Sequence, residues 1–388
     1  MKNKKMLVIP GGFLPYNDTV TLLTYKRLRD LDLDFDVLAF KGKADEGIVK
    51  ELKNDPNYQK FKIEYLCDYD DAIAIKQPYK LPLSLINMAR YVRMGIKKAS
   101  SSKYDYLFTS SIPGISHIVG AKIKQRHPEI KWYASFSDPI KHSPYKYDPD
   151  LKNRSLFYRI AFNVGSFIYM NDKYEEVAMK YADKLIFICE EQRDYTIAQY
   201  PNSEELKAKS IICPLTYIPE WEMYRNLMDA PKVSHQPKTA VHLGRLYGLR
   251  KIDNFLIALK ELKADDPQLA QKIVFHQYSE IQPYDRQKIV DYDLEDVFKI
   301  HDKVSYQTSV NIMKEADVLV LFDTIMADAK VQPYLPSKIT EYLLLDKPIL
   351  GICEANGPSY RILKENGHQL NGYEVATIKE NILQLIGD

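Results

Sequence analysis

Short apolar runs alternate with longer helical patterns along almost the whole chain, and this alternation restricts the fold more than any other feature. Runs at residues 7–10, 36–40, 106–109, 131–136 and 184–189 predict strands, with helical patterns between them such as 19–31 and 83–99. Asp18 is placed to cap the first helix and Pro113 to open another. A second series has strands at 240–243, 273–276, 298–301, 318–322 and 349–353, and helices at 253–262, 309–314, 337–345 and 378–386. Such alternation builds a parallel sheet with helices on both faces. Between the two series the rhythm fails, in a stretch carrying Pro219, Pro231 and Pro237. The expectation is an α/β chain of two doubly wound domains, residues 1–214 and 239–388, joined by 215–238 and facing each other across a cleft. Ligands of such sheets sit at the carboxyl ends of the strands.

Bulk properties remove several function classes. The formal charge is +2 over 388 residues, which gives no sign of a nucleic-acid partner. Cys67, Cys189, Cys213 and Cys353 form no metal-type pair and are expected as small buried hydrophobes in a reducing cytosol. The apolar run 6–9 ends at Pro10, too short for a secretory signal, and no stretch approaches the ~18 apolar residues of a membrane span. A cytoplasmic protein is expected, with at most peripheral contact to a membrane. The acidic strings 68–71, 148–150 and 291–293 are taken as solvated turns, so no metal site is assigned. Residues 145–170 mix Lys146, Lys152, Arg154 and Arg159 with aromatics. They are read as a core-facing helix with snorkelling cations, against the alternative of a segment resting on an anionic membrane surface.

The candidate site lies in the second half. In the segment 240–259 a strand ends at Gly244, Arg245 stands at its tip and Arg250 follows five residues on. Two arginine forks at a strand end suit a diphosphate, and Gly248 allows the turn between them. Downstream, Pro336-Ser337-Lys338 opens an expected helix with Ser337 as N-cap, whose free amides attract phosphate. Lys338 adds charge, and Glu341 is one turn in, where it can accept from ribose hydroxyls.

Both segments resemble the donor-binding half of GT-B glycosyltransferases, in particular the large retaining family four. Gly244, Arg245 and Arg250 follow that family's G-R-x-x-x-x-K pattern, with arginine replacing lysine. Pro336, Ser337, Lys338, Glu341, Tyr342 and Leu343, then Lys347, Pro348 and Ile349, follow its P-S-K-x-x-E-Y-L and K-P-I patterns. The likeness covers about residues 236–353. It implies two Rossmann-like domains, a nucleotide-diphosphate sugar donor, a carbohydrate or lipid-linked acceptor, a role in surface polysaccharide or glycoconjugate synthesis, retention of anomeric configuration, and no cofactor or obligatory metal. One departure is Pro333, where many members carry a first glutamate that contacts the donor sugar.

The first half is expected to supply the acceptor side. Gly12 follows the first strand, where glycine lets backbone approach a ligand, and Asp138 lies where related enzymes keep a polar residue facing the donor sugar. Ser110, Ser111 and His117 follow another strand. The expected catalytic set is Asp138, Arg245 and Arg250. The donor set is Gly12, Gly244, Arg245, Arg250, Ser337, Lys338 and Glu341. Competing readings are a GT-B sugar-nucleotide epimerase and a degenerate homologue that binds a nucleotide or a partner without turnover.

Overall fold

The computed structural model describes residues 4–16, 18–73, 78–146, 155–326 and 330–387. The chain divides into two compact units, Met1–Thr216 and Tyr217–Asp388.

The first unit is a seven-stranded parallel sheet. Its strands are β1 (Lys5–Gly12), β2 (Asp34–Lys41), β3 (Phe61–Asp68), β4 (Tyr106–Ser110), β5 (Lys131–Ser135), β6 (Lys184–Phe187) and β7 (Ser210–Ile212), in the order β3-β2-β1-β4-β5-β6-β7. The continuous apolar runs of β1, β2 and β4 fit strands covered on both faces, and their interiors are buried. Asp18 caps the helix Thr19–Leu28 through a capping box with Thr21. Strand β3 escaped the sequence reading for a physical reason. It is an edge strand that alternates Lys62 and Glu64 with apolar residues, and most of it is only half-buried.

The second unit is a six-stranded parallel sheet of β8 (Lys238–Leu243), β9 (Ile273–Tyr278), β10 (Phe298–His301), β11 (Val318–Phe322), β12 (Ile349–Ile352) and β13 (Asn371–Gly372), ordered β10-β9-β8-β11-β12-β13. Phe255 centres its core, edge-on to Phe275 at 4.9 Å and to Phe322 at 5.1 Å. In both sheets the chain starts in the middle, runs outward to one edge, then returns to build the other side. The strand order therefore reverses between β1 and β4, and again between β8 and β11.

Three sequence expectations are changed. The aperiodic stretch after residue 215 contains a helix, Glu222–Met228, which buries Tyr224 and Leu227 and packs on the helix Tyr306–Glu315 of the second unit. The helix expected at 337–345 is a single turn, Ile339–Tyr342, that starts from Lys338 with no side-chain cap. Ser337 is therefore not an N-cap, and one turn of helix provides no phosphate-binding N-terminus. The segment 145–170 is not core-facing. Its helix, Leu156–Tyr169, leaves Leu156, Phe157, Ile160 and Phe167 exposed, whereas Lys152 and Arg154 lie outside the described residues.

Candidate functional site

In the second unit the reversal point falls between the carboxyl ends of β8 and β11, where Gly244, Arg245 and Arg250 follow β8. The Gly244 amide donates to Tyr278 O (3.2 Å) and its carbonyl accepts from Gln277 Nε2 (2.7 Å). The loop after it is pinned on both sides, by Leu246 N to Glu280 O (2.9 Å) and Ile325 N to Leu249 O (2.9 Å). Gly248 takes φ +58°, the left-handed turn anticipated between the arginines. Arg245 and Arg250 flank one aromatic ring, with guanidinium carbons 5.1 and 5.5 Å from the Tyr247 centroid. Arg250 Nη1 also donates to Arg245 O (3.3 Å). These contacts orient both forks before any ligand binds.

The one-turn helix is tied to the same place. Tyr342 is buried and its hydroxyl accepts the amide of Leu243, the last residue of β8, at 3.3 Å. Glu341 is buried and accepts from the Tyr306 hydroxyl (3.2 Å), with Lys338 Nζ 3.7 Å from its other oxygen and 5.0 Å from the Tyr306 centroid. Burial, and next the Glu341 charge, raise the Tyr306 pKa well above its ordinary value, so the phenol stays a donor. Ser337 is exposed on the preceding turn. Lys347 of the K-P-I string has a structural task, donating to Ala316 O at 2.6 Å.

Three groups at this point were not singled out from sequence. His242 is fully inside the fold, and its Nδ1 bonds to Val320 O at 2.8 Å. A carbonyl only accepts, so Nδ1 carries the proton. Burial, reinforced by nearby Arg250 and Lys338, holds the imidazole pKa at about 3, leaving Nε2 as a bare acceptor. That Nε2 has no hydrogen-bond partner among the described residues and would lie 3.1 Å from a Cβ added at Gly244. Asp323 follows β11. One oxygen accepts Thr324 N (2.7 Å), the other has no partner among the described residues, and burial lifts its pKa to about 7. Gln277 Oε1 and Arg250 Nε are likewise buried without partners. Buried polar atoms in native proteins are nearly always paired, so a cluster of orphans at a strand-end crevice makes this the candidate ligand site. No sequence period distinguishes His242 from the apolar residues of its strand, which is why it was missed. Next to Pro333, which is buried, Gln332 donates to Thr324 O (3.1 Å) and fixes the loop where the family keeps its first glutamate.

The first unit presents Gly12 and Asp138 at the carboxyl edge of its own sheet. A Cβ on Gly12 would meet Thr21 and Tyr16, both at 3.1 Å, so the protein itself fills the space beside this glycine. Asp138 is half-buried on a loop held by Ser137 N to Ser111 Oγ (3.1 Å) and by Glu175, whose carboxylate accepts Ile140 N (2.8 Å), Lys141 N (3.2 Å) and the Tyr200 hydroxyl (2.9 Å). Glu175, buried in the helix Lys173–Tyr181, was not anticipated. His117 is a core residue. Its Nδ1 pairs with Thr109 Oγ1 (2.7 Å), its ring lies 4.9 Å from that of Phe136, and burial lowers its pKa to about 3. Of the acidic strings, Asp71 pairs with Lys80 and Asp293 with Lys263, and 148–150 lies outside the described residues. Among the described residues no group of three or more His, Cys, Asp or Glu could hold a metal ion, and no helix is long and apolar enough to cross a membrane.

No family model matches the sequence, and no curated protein aligns with it. Solved structures do match over nearly the full length. Anabaena HepE in complex with UDP and glucose aligns with a TM-score of 0.60 at 14% identity, covering 99% of this chain and 90% of that one. A variant of S. aureus TarM in complex with fondaparinux, α-GlcNAc-glycerol and UDP gives 0.58 at 12%, covering 99% and 93%. An E. coli trehalose-6-phosphate structure bound with UDP-2-fluoro glucose gives 0.59 at 10%, covering 99% and 90%. The fold is GT-B. The two Rossmann-like units expected from the sequence are those of this fold.

Proposed function

We propose that this GT-B chain is a glycosyltransferase that moves a sugar from a nucleotide-diphosphate donor to a carbohydrate or lipid-linked acceptor. The carrying observation is the convergence at the β8–β11 reversal point, where Arg250 and Lys338 lie close to an unpartnered His242 Nε2 beside Gly244. Structures of the same fold hold UDP or a UDP-sugar, so UDP is the first nucleotide to test. In this reading Arg245, Arg250 and Lys338 take the diphosphate, Gly244 allows its close approach, and Glu341 accepts from the ribose hydroxyls. Ser337 is assigned a polar contact to the phosphates through its exposed hydroxyl. Asp138 is assigned to the transferred sugar, with Gly12 on the same edge of its unit.

The acceptor oxygen bonds to the anomeric carbon as the bond from that carbon to the phosphate oxygen breaks. The nucleoside diphosphate leaves with the electron pair, and the acceptor proton is released. Negative charge grows on the diphosphate, so cations fixed in place beforehand lower the barrier electrostatically. Because three cations supply that charge, the reaction is proposed to run without a divalent metal. Retention of configuration, membership of family four, a role in polysaccharide or glycoconjugate synthesis, and peripheral work at the inner membrane face complete the proposal, on the strength of the sequence resemblance. The test is calorimetric titration of UDP into the protein, followed by a product assay. Saturable binding and release of UDP with a new glycoside support the reading. Interconversion of donor sugars without UDP release would replace it with an epimerase, and unchanged turnover in EDTA checks metal independence.

A further inference from the structure

Two helices of the first unit turn apolar side chains to solvent. On Leu156–Tyr169 the exposed Phe157, Ile160, Val164 and Phe167 recur at spacings of three and four and form one stripe, with both phenylalanines more than 70% exposed. Tyr169, at the end of the same helix, is buried, and its hydroxyl bonds to Ser84 Oγ at 2.8 Å. Ser84 belongs to the helix Leu81–Ser101, so this buried bond ties the end of one helix to the first turn of the other.

That second helix, with the turn before it, carries its own stripe. Tyr79, Leu83, Ile86, Arg90, Arg93 and Lys97 follow at intervals of four, three, four, three and four, and all six are exposed. The stripe is apolar over its first half and cationic over its second. Neither helix contains a single Asp or Glu. Arg90 donates to the amide oxygen of Asn87 (3.3 Å), and among the described residues Arg90, Arg93, Lys97 and Arg159 have no carboxylate partner.

We propose that these two helices form a docking surface for a bilayer containing anionic lipids. This gives the peripheral contact of the functional reading a place on the molecule, and it rests on that part of the reading alone. From Ile86 to Arg93 the helix rises ~10 Å along its axis, so a helix tilted with its first turns downward sets its apolar end deeper than its cations, within the ~5–10 Å that apolar faces reach into the headgroup and acyl boundary. The apolar end therefore reaches the acyl boundary while the cations meet lipid phosphates. A second copy of the chain is the poorer occupant. A two-fold contact through this face would set the same carboxylate-free, cationic stripe against itself.

The test is co-sedimentation of the full chain with phosphatidylcholine vesicles, with and without phosphatidylglycerol, at low and high salt. Wild type is expected to pellet with the mixed vesicles at low salt and to be released by salt. Phe157→Ser with Phe167→Ser lowers the partition coefficient at least ~10-fold per phenylalanine. Arg90→Glu and Arg93→Glu each lower it about fivefold or more. An unchanged circular-dichroism spectrum and melting temperature verify the fold of each variant, and UDP affinity, measured on the same samples and unchanged, separates this outcome from failure of the donor site. Wild type remaining in the supernatant with both vesicles overturns the proposal, as does binding that neither pair of substitutions alters. A dimer in sedimentation equilibrium that the phenylalanine variant converts to monomer, without vesicle binding, assigns the face to a second copy instead.

Discussion

The two units reverse their strand order at equivalent points, and the chemistry left there differs. At the end of β1 the glycine positions are filled from within. Gly11 lies against Pro113, Gly12 lies against Tyr16 and Thr21, and the nearby His117 is a neutral core residue. At the end of β8 the atoms without a partner among the described residues are the bare Nε2 of His242, one oxygen of Asp323 and the Nε of Arg250. Both ends bury polar atoms without partners among the described residues, since His117 Nε2 and Ser116 Oγ lie in the first unit. The difference is that Arg250 and Lys338 act on the orphan imidazole of the second, whereas burial alone acts on His117.

The largest expected effect separates the two ends by a pair of equal substitutions. Gly11→Ala forces a side chain at φ +82° and puts a Cβ 2.1 Å from Pro113 Cδ. Strain and overpacking together should cost roughly 3–5 kcal/mol of stability, seen as a fall in melting temperature with UDP affinity retained. Gly244→Ala meets His242 Nε2 at 3.1 Å, its Cε1 at 3.6 Å and Arg250 Nη1 at 3.9 Å, and should do the reverse, keeping stability and losing affinity. If Gly11→Ala abolishes UDP binding in protein that is still folded, the comparison breaks.

Next, Arg250→Ala should weaken UDP by about 1.5–3 kcal/mol, the worth of a charge-assisted hydrogen bond. Titration calorimetry reads this directly, and equal affinity in the two proteins would detach the loop 244–250 from the nucleotide.

A pH experiment distinguishes the two buried histidines. An unfolded histidine titrates near 6.5, whereas His117 in the fold stays neutral down to about 3. The unfolded chain therefore binds the extra proton first as pH falls, and stability present above 6.5 is lost toward 3 at ~1.4 kcal/mol per pH unit. His117→Gln should remove that slope from the first unit and leave UDP affinity between pH 5 and 8 untouched. An affinity change would give His117 the ligand role that its packing denies. The smallest effect is Glu341→Gln, which exchanges a charged acceptor for a neutral one at a cost of about 1 kcal/mol. It should narrow the preference for UDP over its 2′-deoxy analogue, and an unaltered preference would make Glu341 a partner of Tyr306 only.

Legibility in the sequence followed burial. Strand β11 carries its full bounds in the chain, because an apolar run enclosed on both faces has no polar residue to blur it. The arginines were visible because a charged fork at a strand tip contrasts with the run before it. What stayed hidden depends on partners distant in sequence. Glu175 looks like any helix glutamate until Ile140 N and Lys141 N are found on it. His242 looks like a core residue until its Nε2 is found unused. The exposed stripe of Leu156–Tyr169 was misjudged because periodicity gives the width of an apolar face and says nothing of what covers it.

Each unit closes its own hydrophobic core, one around Trp132, Phe136 and Phe187, the other around Phe255, Phe275 and Phe322. Mutational costs in separate cores add independently. The two halves can therefore accumulate change at different rates. A lineage could rebuild the first unit for a new acceptor while the second keeps its nucleotide, or the halves of two such chains could be recombined at residue 216 without either core having to be repacked.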